Sequence, residues 1–143
     1  MMLRYLLDTC VLAEFVKPIP APQVVAWLNA VASDQTFLSA VTFGEIQMGI
    51  SRLPSSNRRT DLEIWLAGVL PVQFAGRVLA LDVDTLLTWG YMAAQRKQQG
   101  TPMAVVDSLI AATARQHKMV LVTRNVADFS GIAGLRVVNP WDT

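Results

Sequence analysis

Four side chains with oxygen donors stand where an apolar segment ends or where an apolar helix face is expected. They are Asp8 in LRYLLDTC, Glu45 in SAVTFGEIQMGI, Asp107 in VVDSLIAAT and Asn125 in VLVTRNVADF. A carboxylate turned toward a core is costly unless a cation meets it. Several of them converging on one point call for a bound divalent metal. Hard oxygen ligands favour Mg²⁺ or Mn²⁺, which keep several waters and pair with substrate phosphates. Such a site suits phosphodiester hydrolysis, because the metal activates a water and neutralises charge developing on phosphorus.

Each position also has a plainer reading. Asp8 suits an N-cap for a helix beginning near Cys10. Glu45 suits a solvated helix face, although Phe43, Ile46 and Ile50 leave little polar face to turn outward. Asp107 suits an exposed helix position, and Asn125 suits a turn, since asparagine tolerates left-handed backbone. All four plainer readings must hold together for the site to vanish.

Other chemistries lack their residues. Cys10 is the single cysteine and His117 the single histidine. That excludes a disulfide framework, thiolate or His-rich zinc, and a Cys–His nucleophilic pair. His117 reads as structural, at a helix C-terminus where a cation suits the dipole. Neither GxGxxG nor GxxxxGK[ST] occurs, so dinucleotide and P-loop binding have no support. A phosphoacceptor receiver domain needs a lysine after a late strand, and Lys17, Lys97 and Lys118 do not fit.

The elements that must position these residues alternate between strand and helix. Short apolar runs at 4–7, 36–39, 78–81, 120–123 and 136–138 predict strands. Helices are predicted over 10–16, stopped by Pro18, Pro20 and Pro22, and over 23–32, with Val24, Val25, Trp27, Leu28 and Val31 in register. Further helices are expected over 42–50, about 60–68 and 83–99, with residues 53–57 a loop. The 83–99 segment carries Val83, Leu86, Leu87, Tyr91 and Ala94 at helical spacing. Thr101-Pro102 resembles an N-cap with proline at the first helical position, opening a helix that runs to about His117. A turn or short helix is expected at 126–129. This order predicts an α/β domain with a mainly parallel sheet, whose ligands gather at the carboxyl ends of the strands. Asp8 and Asn125 follow predicted strands at that edge. Glu45 shares a helix face with Val41, Met48 and Gly49; Asp107 shares one with Met103, Ile110, Ala111 and Ala114.

At 143 residues the chain reads as one domain, 1–143. Charged residues make up 16%, against about 25% in an average globular domain, which suggests apolar surface hidden in a partner. The net charge of +1 provides no global basic field, so any nucleic-acid contact must be local. Arg52, Arg58 and Arg59 form the local basic cluster, read either as an RNA backbone contact or as a solvated loop. No apolar run approaches the roughly 18 residues of a membrane helix. Asp8 and Glu14 interrupt the signal-like start, and the chain is expected to be cytoplasmic.

The anchors LLDTC, LSAVTFGEIQMGI, DSLIAATARQH, VTRNVADF and the closing NPW, in that order, resemble the PIN-domain nucleases across nearly the whole chain. The resemblance is strongest to the VapC-type toxins of type II toxin–antitoxin modules, including their FitB-like branch. It implies a three-layer α/β/α sandwich with a mainly parallel central sheet. It also implies a Mg²⁺- or Mn²⁺-dependent endoribonuclease that cuts RNA and is blocked by a cognate, VapB-like antitoxin. The family's three invariant acidic metal ligands map onto Asp8, Glu45 and Asp107, and its more variable fourth position onto Asn125. Asp128 is the alternative source of the missing charge, or else a helix cap.

The family's usual DTN is here Asp8-Thr9-Cys10. The resemblance gives Glu45 the holding of water or general-base work, and lets Thr9 and Thr123 orient carboxylates or meet a phosphate oxygen. Arg124 is read as a phosphate clamp, a helix cap or an antitoxin contact. Trp27, Leu28 and Val31, with Leu62, Trp65 and Leu66, are candidates for an antitoxin groove or for core packing. A homodimer is expected. The competing expectation, kept open by Cys10 and Asn125, is a catalytically inactive PIN-like binding module acting in regulation with a DNA-binding antitoxin.

Overall fold

The structure, a computed structural model, describes residues 2–142; the two ends of the expected 1–143 domain lie outside the described residues. Five short apolar runs pair into one parallel sheet in the order β3-β2-β1-β4-β5. The strands are β1 (Tyr5–Leu7), β2 (Thr36–Ser39), β3 (Val78–Leu79), β4 (Val120–Val122) and β5 (Val137–Val138). Side chains alternate across a strand, and this sorts the core into two halves. Leu6 and Leu121, with half-buried Phe37, face a cluster containing Met92, Ile110, Ala111, Ala114 and Phe129. Leu7, Leu38 and Val122 face the other, with Val11, Leu12, Val24, Ile50, Leu66 and Phe74. Each fully buried leucine contributes about 1.5–3 kcal/mol. Helices therefore cover both faces, giving the expected α/β/α layers.

On one face lie α1 (Thr9–Phe15), α2 (Pro22–Ala30) and most of α3 (Ala40–Ser51); on the other lie α6 (Val83–Gln98) and α7 (Val105–Gln116). Pro22 opens α2 at its first turn, where its missing N–H is harmless. Buried Glu14 anchors the proline segment before it. One oxygen meets Lys17 Nζ at 2.9 Å, and the other accepts the Ala21 N–H at 2.9 Å. Lys17, and then the Ala21 bond, hold this carboxyl below its ordinary range.

Three expectations change. The helix expected at about 60–68 is α4 (Asn57–Ile64), a π-helical stretch (Trp65–Val69) and α5 (Leu70–Gln73). Pro71 cannot donate to a preceding carbonyl, and the widened turn, closed by Leu70 N–H to Trp65 O, lies directly before it. Thr101 does not cap α7, which starts at Val105 with Ala104 as its N-cap. Thr101 instead completes a Schellman motif: its N–H reaches Arg96 O at 2.9 Å, and that of Gly100, at φ +73°, reaches Lys97 O at 3.1 Å. The periodic apolar face of α6 is also turned away from the core. Thr85 and Met92 are buried, whereas Val83 and Leu87 are 72% and 67% exposed.

The chain proceeds from β1 outward through β2 and β3, then returns to the opposite side of β1 as β4 and β5. That reversal opens a crevice at the carboxyl ends of β1 and β4.

Candidate active site

Asp8 stands at the end of β1, and its burial (4% exposed) follows from that central place in the sheet. One carboxylate oxygen accepts the Thr9 N–H at 2.8 Å, so the residue does cap α1. The other accepts the Thr123 hydroxyl at 2.7 Å and a longer contact from the Cys10 thiol at 3.6 Å. Thr123 is fully buried at the end of β4, and its oxygen also accepts the Asn125 N–H at 3.1 Å. The two central strands are thus tied together through an Asp–Thr pair. Burial, and then the Asp8 charge, push the Cys10 thiol above its ordinary range. A neutral thiol that leans on Asp8 is what stands in the place of the family's asparagine.

Glu45 comes from the middle of α3, half-buried. One turn earlier on the same helix, buried Thr42 lies 3.4 Å from the Thr9 hydroxyl, which brings α3 to the start of α1. Asp107 lies in the first turn of α7, where the helix dipole favours negative charge. Its carboxyl is nevertheless pushed above its ordinary range. Burial is the first cause, and the charges of Asp8, Glu45 and Asp128 follow. Four carboxylates from four separate stretches of chain therefore share one electrostatic neighbourhood. Asn125 sits beside them, exposed, at the head of the short 3₁₀ turn Val126–Phe129; no hydrogen bond from its side chain caps that turn. Its φ of −91° is not left-handed, so the turn does not require an asparagine.

Among the described residues, no cationic side chain forms an ion pair with these carboxylates. The ion pairs among the described residues are Lys17–Glu14 and Arg59–Glu63. Nor do three or more His, Cys, Asp or Glu side chains form a ready-made metal group among them. The carboxylates are neighbours, not a closed cage. The donor set nonetheless fits a hard cation of the Mg²⁺ kind, which takes one or two carboxylates and fills its remaining positions with water and phosphate.

The remaining candidates sort by what they touch. Arg58 donates to Val16 O at 2.6 Å, Arg59 to Glu63 and Leu53 O, and Arg52 to the Met48 sulfur. The basic cluster is therefore spent on local contacts. Arg124 lies over the Trp141 ring at 5.4 Å. His117 ends α7, and its carbonyl accepts from Arg4. Leu28, Val31 and Trp65 line an apolar cavity of about 460 Å³. Leu62 and Trp65 line a second cleft, of about 390 Å³, that runs to Thr9 and Glu45. Trp27 meets the Tyr5 ring edge-on at 5.2 Å, and Leu66 is buried. Sequence reasoning passed over Thr42 and Arg96. An inward threonine leaves no trace in a periodicity, and an arginine in a last helical turn reads as a dipole partner.

Comparison with known proteins adds the lineage. The profile of the PIN domain matches residues 5–135. The chain is 37% identical over 136 residues to VapC ribonuclease Y4jK of Sinorhizobium fredii, covering 95% of this chain and 96% of that protein. It is 36% identical over 137 residues to Toxin FitB of Neisseria gonorrhoeae, covering 95% and 97%. A solved structure of FitAB bound to an IR36 DNA fragment superposes with a TM-score of 0.87 at 34% identity, over 96% of this chain and 95% of that one.

Proposed function

The chain belongs to the PIN-domain family, and on that premise we propose that it is a Mg²⁺- or Mn²⁺-dependent endoribonuclease serving as the toxin of a toxin–antitoxin pair. The observation that carries this reading is the crowding of Asp8, Glu45, Asp107 and Asp128, felt at Asp107, with no ion pair to any of them among the described residues. The relatives named for ribonuclease and toxin support it.

Asp8 and Asp107 would hold the metal, directly or through water, with Asn125 or Asp128 completing its outer surroundings. When bound, such a metal lowers the pKa of a water and offsets charge on the phosphate. Thr123 fixes the Asp8 carboxylate by its 2.7 Å hydrogen bond, a second-layer contact of the kind that sets ligand orientation. Glu45, half-buried and without an ion pair among the described residues, would hold the water or accept its proton as general base. The cleft leading from Leu62 and Trp65 to Glu45 suits an antitoxin segment that anchors by apolar side chains and covers the site. A homodimer belongs to the same reading. The outward stripe Val83–Leu87–Tyr91 of α6 is the surface it would use.

The test is incubation of purified protein with RNA and Mg²⁺ or Mn²⁺, beside EDTA and Asp8→Asn controls. Cleavage should fall by about 100-fold or more in both controls. Cleavage that survives both is a contaminant's and removes the support for this site. Absence of cleavage with either metal favours the inactive regulatory module instead.

A further inference from the structure

We infer that the cavity beside Asp107 is a ribonucleotide subsite, in which the Arg96 guanidinium receives the phosphate flanking the bond that is cut. The inference rests on the ribonuclease reading and adds to it a positioning residue and a place for the neighbouring nucleotide.

The cavity holds about 330 Å³ and is lined by Arg96, Thr101, Pro102, Met103, Asp107 and Asp128, among others. Its size falls within the roughly 300–1,000 Å³ of small-ligand sites. Asp107 and Asp128, two of the crowded carboxylates, belong to that lining, so a ligand that fills the cavity meets them. Arg96 brings the cationic group to this lining. A chain of nucleotides crossing from Asp107 toward Arg96 therefore passes from carboxylates to a guanidinium.

Arg96 is also held in place. It is the third residue from the end of α6, and its carbonyl is locked by the Thr101 N–H of the Schellman motif. One guanidinium nitrogen donates to Ser130 O at 2.8 Å. Its Nε is buried and has no acceptor, and a buried donor is costly until something accepts from it. No carboxylate lies within ion-pair distance of it among the described residues, although Asp107 and Asp128 line the same cavity. The charge is thus unpaired among the described residues, and with Nη1 given to Ser130 O and Nε buried, Nη2 is the donor left to meet a phosphate in the cavity. Arg58, Arg59 and Arg77 also donate to carbonyls, and Arg115 and Arg124 lie over aromatic rings; what sets Arg96 apart is its place in the lining beside Asp107. With a net charge of +1, backbone recognition has to be local, and Arg96 lines the same cavity as two of the carboxylates.

Three measurements test this on the full chain: steady-state cleavage of a single-stranded RNA, RNA affinity across salt concentrations in an Asp8→Asn background, and thermal melting. Arg96→Gln should raise KM about tenfold with kcat within about twofold, as expected for one lost charged contact. It should also make the slope of log affinity against log salt shallower by about 0.7. Arg96→Lys, which keeps the charge, should recover most of both. An unchanged KM and salt slope in Arg96→Gln overturns the inference. So does an equal loss in both variants accompanied by a lower Tm, which would make Arg96 a clamp for the Ser130 segment. If the wild-type chain cuts no RNA, the ribonuclease reading fails by itself, and the salt slope still decides whether Arg96 binds a nucleic-acid backbone. If Arg96→Gln melts early, retention of affinity and slope by Arg96→Lys supports the inference, and their loss overturns it.

Discussion

Asp107 is where the electrostatic cost of the site concentrates, since burial and three neighbouring carboxylates all oppose its charge. Replacing it with asparagine removes the repulsion, so the metal-free protein should melt higher, by about 2–5 °C. The same change should abolish the stabilisation by added Mn²⁺; an Asp107→Asn protein with the wild-type Mn²⁺ response would show that this carboxylate is no ligand. The pH dependence has a definite sign. The folded pKa lies above the unfolded value of about 3.9, so the native state holds more protons between the two, and stability falls as pH rises through that window. In EDTA, the wild type should gain on Asp107→Asn as pH is lowered from 7 toward 4. A pH-independent difference would mean that the crowding is absent. At this scale Asp8, Glu45 and Asp107 could be picked out in the sequence, because carboxylates interrupt apolar patterns. Cys10 could not be interpreted there, since its contact with Asp8 depends on how α1 starts.

Thr101, Pro102 and Gly100 show how an element's end can be misassigned. Thr-Pro before an apolar run is a good helix start, but the same residues also suit the three positions after a helix end. Gly100 decides it, because only its φ of +73° lets the Thr101 N–H turn back to Arg96 O. Gly100→Ala should therefore cost about 1–2 kcal/mol, read as a lower urea midpoint at constant m. Equal midpoints would mean that the turn relaxes without loss. Because the motif also fixes Arg96, the variant should lose RNA affinity together with stability. The other boundaries that moved share a cause: the π stretch before Pro71 arises from a missing donor and the packing of Leu66 and Leu70, and not from any local preference of WLAGV.

Over the whole molecule, α6 presents Val83, Leu87 and Tyr91 (59% exposed) as an apolar outward stripe around Gly90. A β-carbon at Gly90 would meet nothing within 4 Å, so the helix surface is open there. If α6 carries the proposed homodimer, the wild type should sediment as a dimer and Leu87→Asp as a monomer, with the Tm of the isolated chain little changed; a monomeric wild type overturns the homodimer. A dimer that persists moves the interface elsewhere. Among the described residues, no helix is long and apolar enough to cross a membrane.

The sequence by itself determined the alternation of strands and helices, the parallel sheet and the identity of the acidic candidates. Those are written in periods of two and 3.6 residues and in interruptions of them, all of which act within a few residues. Only the tertiary structure decided that α6 turns its apolar stripe outward, that Asp128 joins the carboxylates felt at Asp107, and that Arg96 arrives beside them. Those relations depend on the strand order around β1 and on which face of each helix the sheet covers. Both are set by contacts between residues far apart in the chain, 115 positions for Asp8 and Thr123, which local periodicity cannot record.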